Sequence, residues 1–439
     1  MSIPFFSKLR SQKHYLQLVK PELKQVSEFV EAQASCFDPE VTDYMETVCQ
    51  SKGKMLRPAL VLLVAGATGG IKEAHIRLGA LLEMVHLASL VHDDVIDEAD
   101  KRRDEATANA LWGNSLAVLL GDVLFSHAMV LGTEFGSTEF CRRLANTVRD
   151  VCQGEVAQSS RLYDLSMTRE EYFEIIRKKT ASLFSAATGG AAWISGVAPE
   201  VEESLYQLGD LLGVAYQIYD DCLDMVGDED DAGKTLHTDA TKGKLTLPIF
   251  NLLECGDRNV EATLRDAIEN REVVDYSAFQ DNPVFAEALD KSIQVALEKN
   301  EAAREILWLL PQTEYREALA EMTFYMDELL NDCRISLASF PSLKGGGRFP
   351  EMDFGNLSGI QNAIHEGRLR GIFLNRDRFP GLLPHETVPL SGPACPPASL
   401  DGKSVSMGCF LERETDEDAL QVSRRSLSGG LAKLARAGW

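Results

Sequence analysis

The chain has 439 residues, and its hydrophobic fraction of 45% is enough to build the core of a soluble globular protein. Its formal net charge is −23, and no basic stripe occurs along it. Because nucleic acids are bound through basic surfaces, this argues against a nucleic-acid partner, although an anionic substrate bridged by divalent cations remains compatible with the charge.

Apolar residues recur every three to four positions from about residue 9 to residue 335, which predicts one helix after another and an all-α fold. The segment 76–90 is apolar on nearly all sides, as expected for a helix at the centre of a bundle. Further amphipathic helices are predicted at 170–179, 201–219 and 315–330.

Nine cysteines occur without any C-x-x-C pair, which argues against a disulfide framework or a zinc site and favours a cytoplasmic location. The first residues contain no apolar segment of signal-peptide length. The best apolar run, 58–67, is far shorter than a bilayer span. These features predict a soluble protein.

The composition changes near the C-terminus. Residues 340–439 contain eight of the 16 prolines and 14 of the 33 glycines, with nearly balanced charge. The sequence therefore predicts one all-α domain over 1–338 and a Gly/Pro-rich, largely disordered tail over 339–439.

Two D-D-x-x-D segments occur, each at the end of an apolar helical run: Asp93, Asp94 and Asp97, and then Asp220, Asp221 and Asp224. In a helix, acids four positions apart differ by only about 40° in direction and about 6 Å in height, so the outer acids of each segment share a face. A single acidic segment of this kind is often a solvated helix end. Two copies that face each other would instead offer hard oxygen ligands to several Mg²⁺ ions, which would turn a diphosphate into a good leaving group.

Basic residues accompany both acidic segments. Arg102 and Arg103 follow the first, Lys234 and Lys244 follow the second, and the upstream segment GKMLRP adds Lys54 and Arg57. Each alone would more often be a solvated surface residue. Together they suit two anionic diphosphates, one held through metal ions and one held directly by Arg and Lys donors.

Seven segments together resemble the trans-isoprenyl diphosphate synthases, and in particular their long-chain, octaprenyl-type members. They lie in order over about residues 40–250 and read GKMLRP, LVHDDVIDEADKRR, TANALWGN, GEVAQ, KTASLF, YQIYDDCLDMVGD and GKLTLP. The resemblance implies a single bundle of antiparallel helices around a central cavity, the isoprenoid synthase fold, and a homodimer. It also implies a Mg²⁺-dependent transfer of an allylic group to isopentenyl diphosphate.

The resemblance also implies roles for individual residues. Isopentenyl diphosphate would be held by Lys54, Arg57, His86 and Arg103. Magnesium would be held by the six aspartates of the two segments. The allylic diphosphate and the nascent cation would lie near Arg102, Lys179, Thr180, Gln217 and Lys234. Lys244 would also belong to the substrate-binding residues. The catalytic set would be Asp93, Asp97, Asp220, Asp221, Lys179 and Gln217.

The length of the product is predicted from the residues just before the first acidic segment. Ala88 and Ser89 lie about one helical turn below Asp93, where a growing hydrocarbon chain would pass. Short-chain members of the family carry a bulky aromatic residue there, so small residues predict a long polyprenyl diphosphate of the kind attached to quinones. Close helix packing would be the ordinary reason for small residues. Release of so hydrophobic a product would bring the protein into peripheral contact with a membrane.

Three alternatives remain open at this point. The first is a short-chain farnesyl or geranylgeranyl diphosphate synthase. The second is a non-catalytic subunit of a heteromeric synthase, which would typically lack acids from one segment. The third is a class I terpene cyclase, which would not need Lys54, Arg57 and Arg103 for a second diphosphate.

Overall fold

The computed structural model describes residues 14–50, 53–102, 105–227, 238–272, 274, 276 and 282–338. These residues are overwhelmingly α-helical, which confirms the predicted all-α class. Arg103, Lys234 and the segment 339–439 lie outside the described residues, so the predictions made for them stay predictions.

The first half of the described chain contains helices α1 His14–Leu18, α2 Lys20–Gln33, α3 Pro39–Cys49, α4 Leu56–Ala67, α5 Glu73–Ile96, α6 Ala108–Trp112, α7 Asn114–Thr133 and α8 Thr138–Ser160. The second half contains α9 Arg169–Ile176, α10 Ser182–Ser195, α11 Pro199–Val226, α12 Thr238–Thr241, α13 Leu247–Leu253, α14 Arg258–Asn270, α15 Pro283–Leu307 and α16 Glu314–Ala338. A 3₁₀ turn spans Ala34–Cys36, and a π-helical turn, Arg177–Ala181, joins α9 to α10. A small antiparallel hairpin pairs β1 Lys101–Arg102 with β2 Glu105–Ala106.

Helix α5 lies at the centre of the bundle, as its all-round apolar sequence predicts. It packs against α2, α4, α7 and α10. Leu81, Leu82, Met84 and Val85 are completely buried along it. Burial of one such side chain stabilises the fold by about 1.5–3 kcal/mol, so α5 is a main source of stability as well as the support for Asp93 at its C-terminal end.

Helix α11 connects two apolar cores. Leu205 and Leu208 of its first half belong to one core, and Ile218 and Met225 of its second half belong to the other. The helix packs against α10, α13, α15 and α16. The second acidic segment lies in the last two turns of this helix. Both acidic segments are therefore carried by the C-terminal ends of long, well-packed helices, which fixes their positions.

The π-helical turn owes its position to two glycines on neighbouring helices. A side-chain carbon at Gly154 of α8 would lie 2.5 Å from the backbone nitrogen of Lys179, and one at Gly213 of α11 would overlap Ala181. Only glycine allows so close an approach of two backbones. The turn is thus held between α8 and α11, and insertions of this kind in helices are frequent at functional sites.

A buried histidine joins α5 to α10 at the opposite end of α5 from the acids. His75 is fully buried, and its Nδ1 accepts the backbone N–H of Lys72 at 3.0 Å. Its Nε2 therefore carries the proton and donates to the carbonyl oxygen of Ala191 at 3.2 Å. Burial lowers the pKa of His75 from 6.5 to about 4.

We expect this histidine to make the fold sensitive to acid. Because the folded state holds the neutral ring, the unfolded state binds more protons between pH 6.5 and pH 4, and stability is lost as the pH falls through this window. The shift corresponds to about 3 kcal/mol of unfolding free energy. In urea unfolding, the wild type should be more stable than His75→Gln at pH 7, and this difference in unfolding free energy should shrink towards pH 4.5. A difference that does not change with pH would contradict the neutral state of His75 in the fold.

Two described helices, α5 and α7, are long and apolar enough to cross a membrane, which the lack of a long apolar run in the sequence did not predict. Helix α5 is mostly buried inside the bundle, whereas α7 is covered over less of its surface. Core helices of soluble proteins meet the same criterion, so this finding is weak evidence for a membrane span.

Candidate active site

Asp93 lies in the last turn of α5 and faces a lysine and a glutamate from other helices. Lys179 Nζ is 4.0 Å from Asp93 Oδ2, and the carboxyl group of Glu155 on α8 lies beside Asp93. Burial raises the pKa of Asp93 to about 6, since the nearby Glu155 adds to this effect and Lys179 only partly opposes it. A cation placed here would relieve the cost of keeping this carboxylate ionised.

Asp94 is almost fully buried and pairs with an arginine of the hairpin. Two N–H groups of Arg102, from Nε and Nη2, donate to its Oδ1 at 2.9 and 2.7 Å. Arg102 lies on β1, so this ion pair fastens the hairpin to the end of α5. Arg102, which the sequence assigned to the allylic diphosphate, is occupied by Asp94 in this structure.

Asp97 directly follows α5 and is paired with two lysines from the segment between α12 and α13. Lys242 Nζ is 3.0 Å and Lys244 Nζ is 3.7 Å from Asp97 Oδ2. Burial alone would raise the pKa of Asp97, but these lysines outweigh it and hold the pKa below its usual value. Asp97 is therefore ionised and directed towards the second half of the chain.

Asp221 of the second acidic segment is buried and hydrogen-bonded at both oxygens. Tyr172 Oη donates to Oδ2 at 2.6 Å, and Gln217 Nε2 donates to Oδ1 at 2.9 Å. Burial raises the pKa of Asp221 well above its usual value, with Asp239 adding to the rise. These contacts suit an acid that fixes its neighbours, because both of its oxygens are already bonded to protein donors.

Asp220 and Asp224 are the other two acids of this segment. Asp220 is half-buried. Asp224 is buried, and its Oδ2 accepts the backbone N–H of Asp239 at 3.2 Å. Asp239 itself lies 3.4 Å from Lys244 through its Oδ1. Burial would lower the pKa of Lys244, but Asp239 and Asp97 raise it, so this lysine is a permanent cation between the two acidic segments.

Two chains of contacts thus connect the acidic segments. One passes from Asp97 through Lys244 and Asp239 to Asp224. The other begins at the pair of Asp93 with Lys179. The hydroxyl of the adjacent Thr180 donates to Gln217 Oε1 at 2.7 Å, and Gln217 in turn donates to Asp221. The structure therefore brings together the C-terminal end of α5 and the C-terminal end of α11, as the sequence predicted.

Lys179 is the best-connected cation of the site. It forms an ion pair with Glu155 and donates to Gln158 Oε1 at 2.8 Å, both on α8. The π-helical turn carries Lys179, and the lack of a side chain at Gly154 lets the turn lie close to α8. The Lys179 side chain is mostly shielded from solvent. A substrate diphosphate could take the place of its acidic partners.

The upstream basic segment lies at the start of α4, next to α5. Lys54 is exposed, and Met55 has a left-handed backbone conformation with φ 53°, which costs energy in a residue other than glycine. The guanidinium of Arg57 lies 5.1 Å from the centre of the Phe184 ring. His86 is half-buried on α5, about two helical turns before Asp93.

Ala88 and Ser89 lie where the sequence places them, within α5. Ala88 is completely buried in the apolar core, and the Ser89 hydroxyl donates to the carbonyl oxygen of His86 at 2.8 Å. Ser89 thus satisfies its polar group inside its own helix. Both residues present little bulk towards their neighbours.

The donors of the site fit hard divalent cations. Over the described ranges, no three acidic, histidine or cysteine side chains converge closely enough to hold a metal ion by themselves. Magnesium usually shares its coordination shell with waters and substrate phosphates, so one or two carboxylates from each segment are sufficient. Buried like charges at Asp93 and Glu155, and at Asp221 and Asp239, are the environment that a divalent cation stabilises.

Sequence reasoning missed four residues that contact the predicted set: Glu155, Tyr172, Lys242 and Asp239. Glu155 lies within GEVAQ, a segment of the family resemblance that does not by itself indicate a role for its acid. Tyr172 and Asp239 reach the site from other helices, and no local pattern marks them.

A bundle of helices with two lysine-bridged acidic segments defines a class of proteins that bind polyphosphates through divalent ions. Residues 38–280 match the family model described as polyprenyl synthetase. The chain belongs to this polyprenyl synthetase family, whose members are prenyltransferases that in general depend on magnesium and use isopentenyl and allylic diphosphates.

Relatives and solved structures agree with this family. Octaprenyl diphosphate synthase of Escherichia coli (strain K12) is 37% identical over 270 residues, which cover 61% of this chain and 83% of the relative. A decaprenyl diphosphate synthase from Rhodobacter capsulatus superposes with a TM-score of 0.64 at 31% identity, covering 72% of this chain and 98% of that structure. The polyprenyl synthase of Caulobacter crescentus CB15, complexed with calcium and isoprenyl diphosphate, gives a TM-score of 0.65 at 30% identity, with 73% and 96% covered.

Proposed function

We propose that the protein condenses isopentenyl diphosphate with an allylic diphosphate in repeated head-to-tail steps, releases diphosphate and forms a long-chain all-trans polyprenyl diphosphate. The convergence of the two acidic segments around Lys179 and Lys244 is the observation that carries this proposal. It supplies the alternating negative and positive groups that an allylic diphosphate with its cations requires.

The protein's own groups would act by charge and position and need no nucleophile. Lys179 and Lys244 would leave their acidic partners to contact the departing diphosphate, and Thr180 with Gln217 would place oxygen dipoles near the allylic cation. The double bond of isopentenyl diphosphate then attacks that cation, and a proton leaves to the released diphosphate. Lys54, Arg57, His86 and Arg103 would hold the second substrate.

We propose several Mg²⁺ ions as the cofactor, held by Asp93, Asp97, Asp220 and Asp224 together with substrate oxygens. Bound magnesium would supply the positive charge that makes the diphosphate a leaving group. Asp94 and Asp221, which are bonded to Arg102 and to Tyr172 and Gln217, would orient this shell from behind. A related structure that contains calcium and isoprenyl diphosphate supports a divalent-cation site.

A long product is supported by the relatives, which include octaprenyl, solanesyl and decaprenyl diphosphate synthases. It is also supported by Ala88, a small and completely buried residue below Asp93. A short-chain isoprenyl diphosphate synthase is 34% identical as well, so product size is the property to measure.

Enlarging the side chain at residue 88 should shorten the product. If the hydrocarbon passes Ala88, then Ala88→Val, Ala88→Leu and Ala88→Phe should give progressively shorter chains, and the Phe variant should stop near the short-chain products. Chromatographic sizing of the product measures this. Overpacking that only damages the core would cost about 1–3 kcal/mol of stability and reduce turnover without changing chain length, which would contradict the proposed path.

The proposed activity itself is tested with labelled isopentenyl diphosphate and purified protein, with and without an allylic primer and Mg²⁺. Primer-dependent incorporation into a long chain is expected. A terpene cyclase would consume the primer without incorporating label, and a non-catalytic subunit would do neither.

We also propose a homodimer, formed through α7. One face of this helix exposes Val118, Leu119 and Val130, with Asp122 as the acid among them. Such an apolar face needs a cover, and the overall charge of −23 disfavours the anionic surface of a lipid bilayer as that cover. A second copy would place the same apolar face against itself.

A charge on this face should dissociate the dimer. Leu119, which is 58% exposed, replaced by Glu should give a monomer in sedimentation experiments, because two buried carboxylates would face each other. Leu309, which is 57% exposed and lies outside α7, gives the matched control, since Leu309→Glu should stay dimeric. A dimer that survives Leu119→Glu would exclude α7 as the interface.

A cytoplasmic location and a peripheral membrane contact during product release are further proposals that rest on the sequence and on the hydrophobicity of the product. Cell fractionation with and without substrate would test both.

A further inference from the structure

Glu83 is a buried acid in the central helix α5, surrounded by apolar residues. It is only 4% exposed, and its neighbours Leu82 and Met84 are completely buried. Carboxylates are rarely buried to this extent unless they are paired, because the loss of hydration is expensive. Glu83 precedes His86 by three positions and therefore lies on the same side of α5.

The segment that Glu83 meets is the basic turn before α4. Gly53 lies so close to the Glu83 carboxylate that a side-chain carbon at 53 would overlap Oε1. Two residues later the backbone of Met55 adopts the left-handed conformation, and α4 begins directly after it with Arg57 in its first turn. The strain at Met55 persists only because surrounding contacts hold the turn in place.

Arg57 lies close enough to Glu83 for the charge of this acid to act on its guanidinium. Burial lowers the pKa of the Arg57 guanidinium, and Glu83, followed by Tyr216, opposes this. One face of the guanidinium covers the Phe184 ring at 5.1 Å. Its Nε is buried and has no acceptor among the described residues, although a buried N–H normally has one. A donor left in this condition is available to an oxygen of a bound anion.

We propose that Glu83 is a positioning residue for isopentenyl diphosphate: it holds the turn 53–57 and the Arg57 guanidinium so that an Arg57 N–H is directed at the diphosphate of this substrate. The inference rests on the proposed function. Glu83 does not contact the substrate in this scheme and acts only through Arg57.

A purely structural role for Glu83 would have different consequences. Removing one partner of a buried ion pair destabilises a fold strongly, and a general loss of stability would lower activity towards both substrates equally. A role through Arg57 would instead affect one substrate. The measurement must therefore separate the two Michaelis constants.

The test uses the full chain and the variants Glu83→Gln, Arg57→Gln and the double variant, with Glu73→Gln as the control. Glu73 lies on the same helix but is exposed. In Glu83→Gln, the KM for isopentenyl diphosphate should rise by about tenfold or more, as expected for the loss of a charge-assisted contact, while the KM for the allylic substrate should change little. The double variant should be no worse than Arg57→Gln alone, because both changes disable the same contact.

The outcomes are distinct. An equal rise of both KM values, or effects of the two single variants that multiply in the double variant, would overturn the positioning role. If Glu83→Gln does not fold, as judged by its helical circular dichroism, Glu83→Asp replaces it. This variant should raise the KM for isopentenyl diphosphate by a smaller factor and leave the KM for the allylic substrate unchanged. A rise of both KM values in Glu83→Asp would overturn the inference. A wild type that does not incorporate isopentenyl diphosphate would reject the proposed function instead.

Discussion

Replacing Asp93 or Asp220 with Ala, one at a time, should reduce condensation by at least about a thousandfold, as expected when a ligand of the ions that stabilise the leaving group is removed. Asp93 also keeps Lys179 and Glu155 in place, so its loss would disturb a second group of the site. The rate of label transfer from isopentenyl diphosphate at saturating Mg²⁺ measures this effect.

The control for these variants is Asp266→Ala, which removes an exposed acid from α14 that accepts a hydrogen bond from Asn270 of its own helix. It should retain full turnover. Undiminished condensation in Asp93→Ala and Asp220→Ala would mean that the acidic segments do not bind the reacting diphosphate, and the proposed function would have to be abandoned.

Replacing Lys179 with Met should lower kcat by about a hundredfold, because a buried cation near the departing diphosphate would be lost. The uncharged side chain keeps most of the length of lysine, so Gly154 and the π-helical turn should remain packed. Steady-state kinetics with both substrates measures the change.

Its matched control is Lys178→Met on the same turn. Lys178 is paired with Glu174 at 3.0 Å on the outer side of the helix, so its loss should leave kcat nearly unchanged. Equal losses in both variants would show that the turn responds to any loss of charge and that Lys179 has no special role.

Much of the site could be predicted from the sequence because it is encoded in local patterns. Asp93 and Asp97 are four residues apart at the end of an apolar helix, and helical geometry alone places them on one side. The same holds for Asp220 and Asp224. The all-round apolar segment 76–90 likewise predicted a central helix, and the structure extends it to Glu73–Ile96.

Residues that reach the site from distant parts of the chain could not be predicted in this way. Glu155 and Lys179 are 24 positions apart, and Tyr172 is 49 positions before Asp221. The partners of a buried carboxylate depend on how the helices pack, and no local spacing encodes that. For the same reason the sequence predicted Arg102 beside the allylic diphosphate, whereas the structure pairs it with Asp94.

The π-helical turn between α9 and α10 contains one residue more than an uninterrupted α-helix would have at this point. Each residue of an α-helix turns the chain by about 100°, so deleting one residue from 177–181 would swing every side chain on one side of the deletion a quarter-turn or more away from its present direction. The length of this segment is therefore as restricted as its composition. Evolution or protein engineering can exchange outward-facing residues such as Lys178 there, but cannot shorten the segment without turning Lys179 away from Asp93.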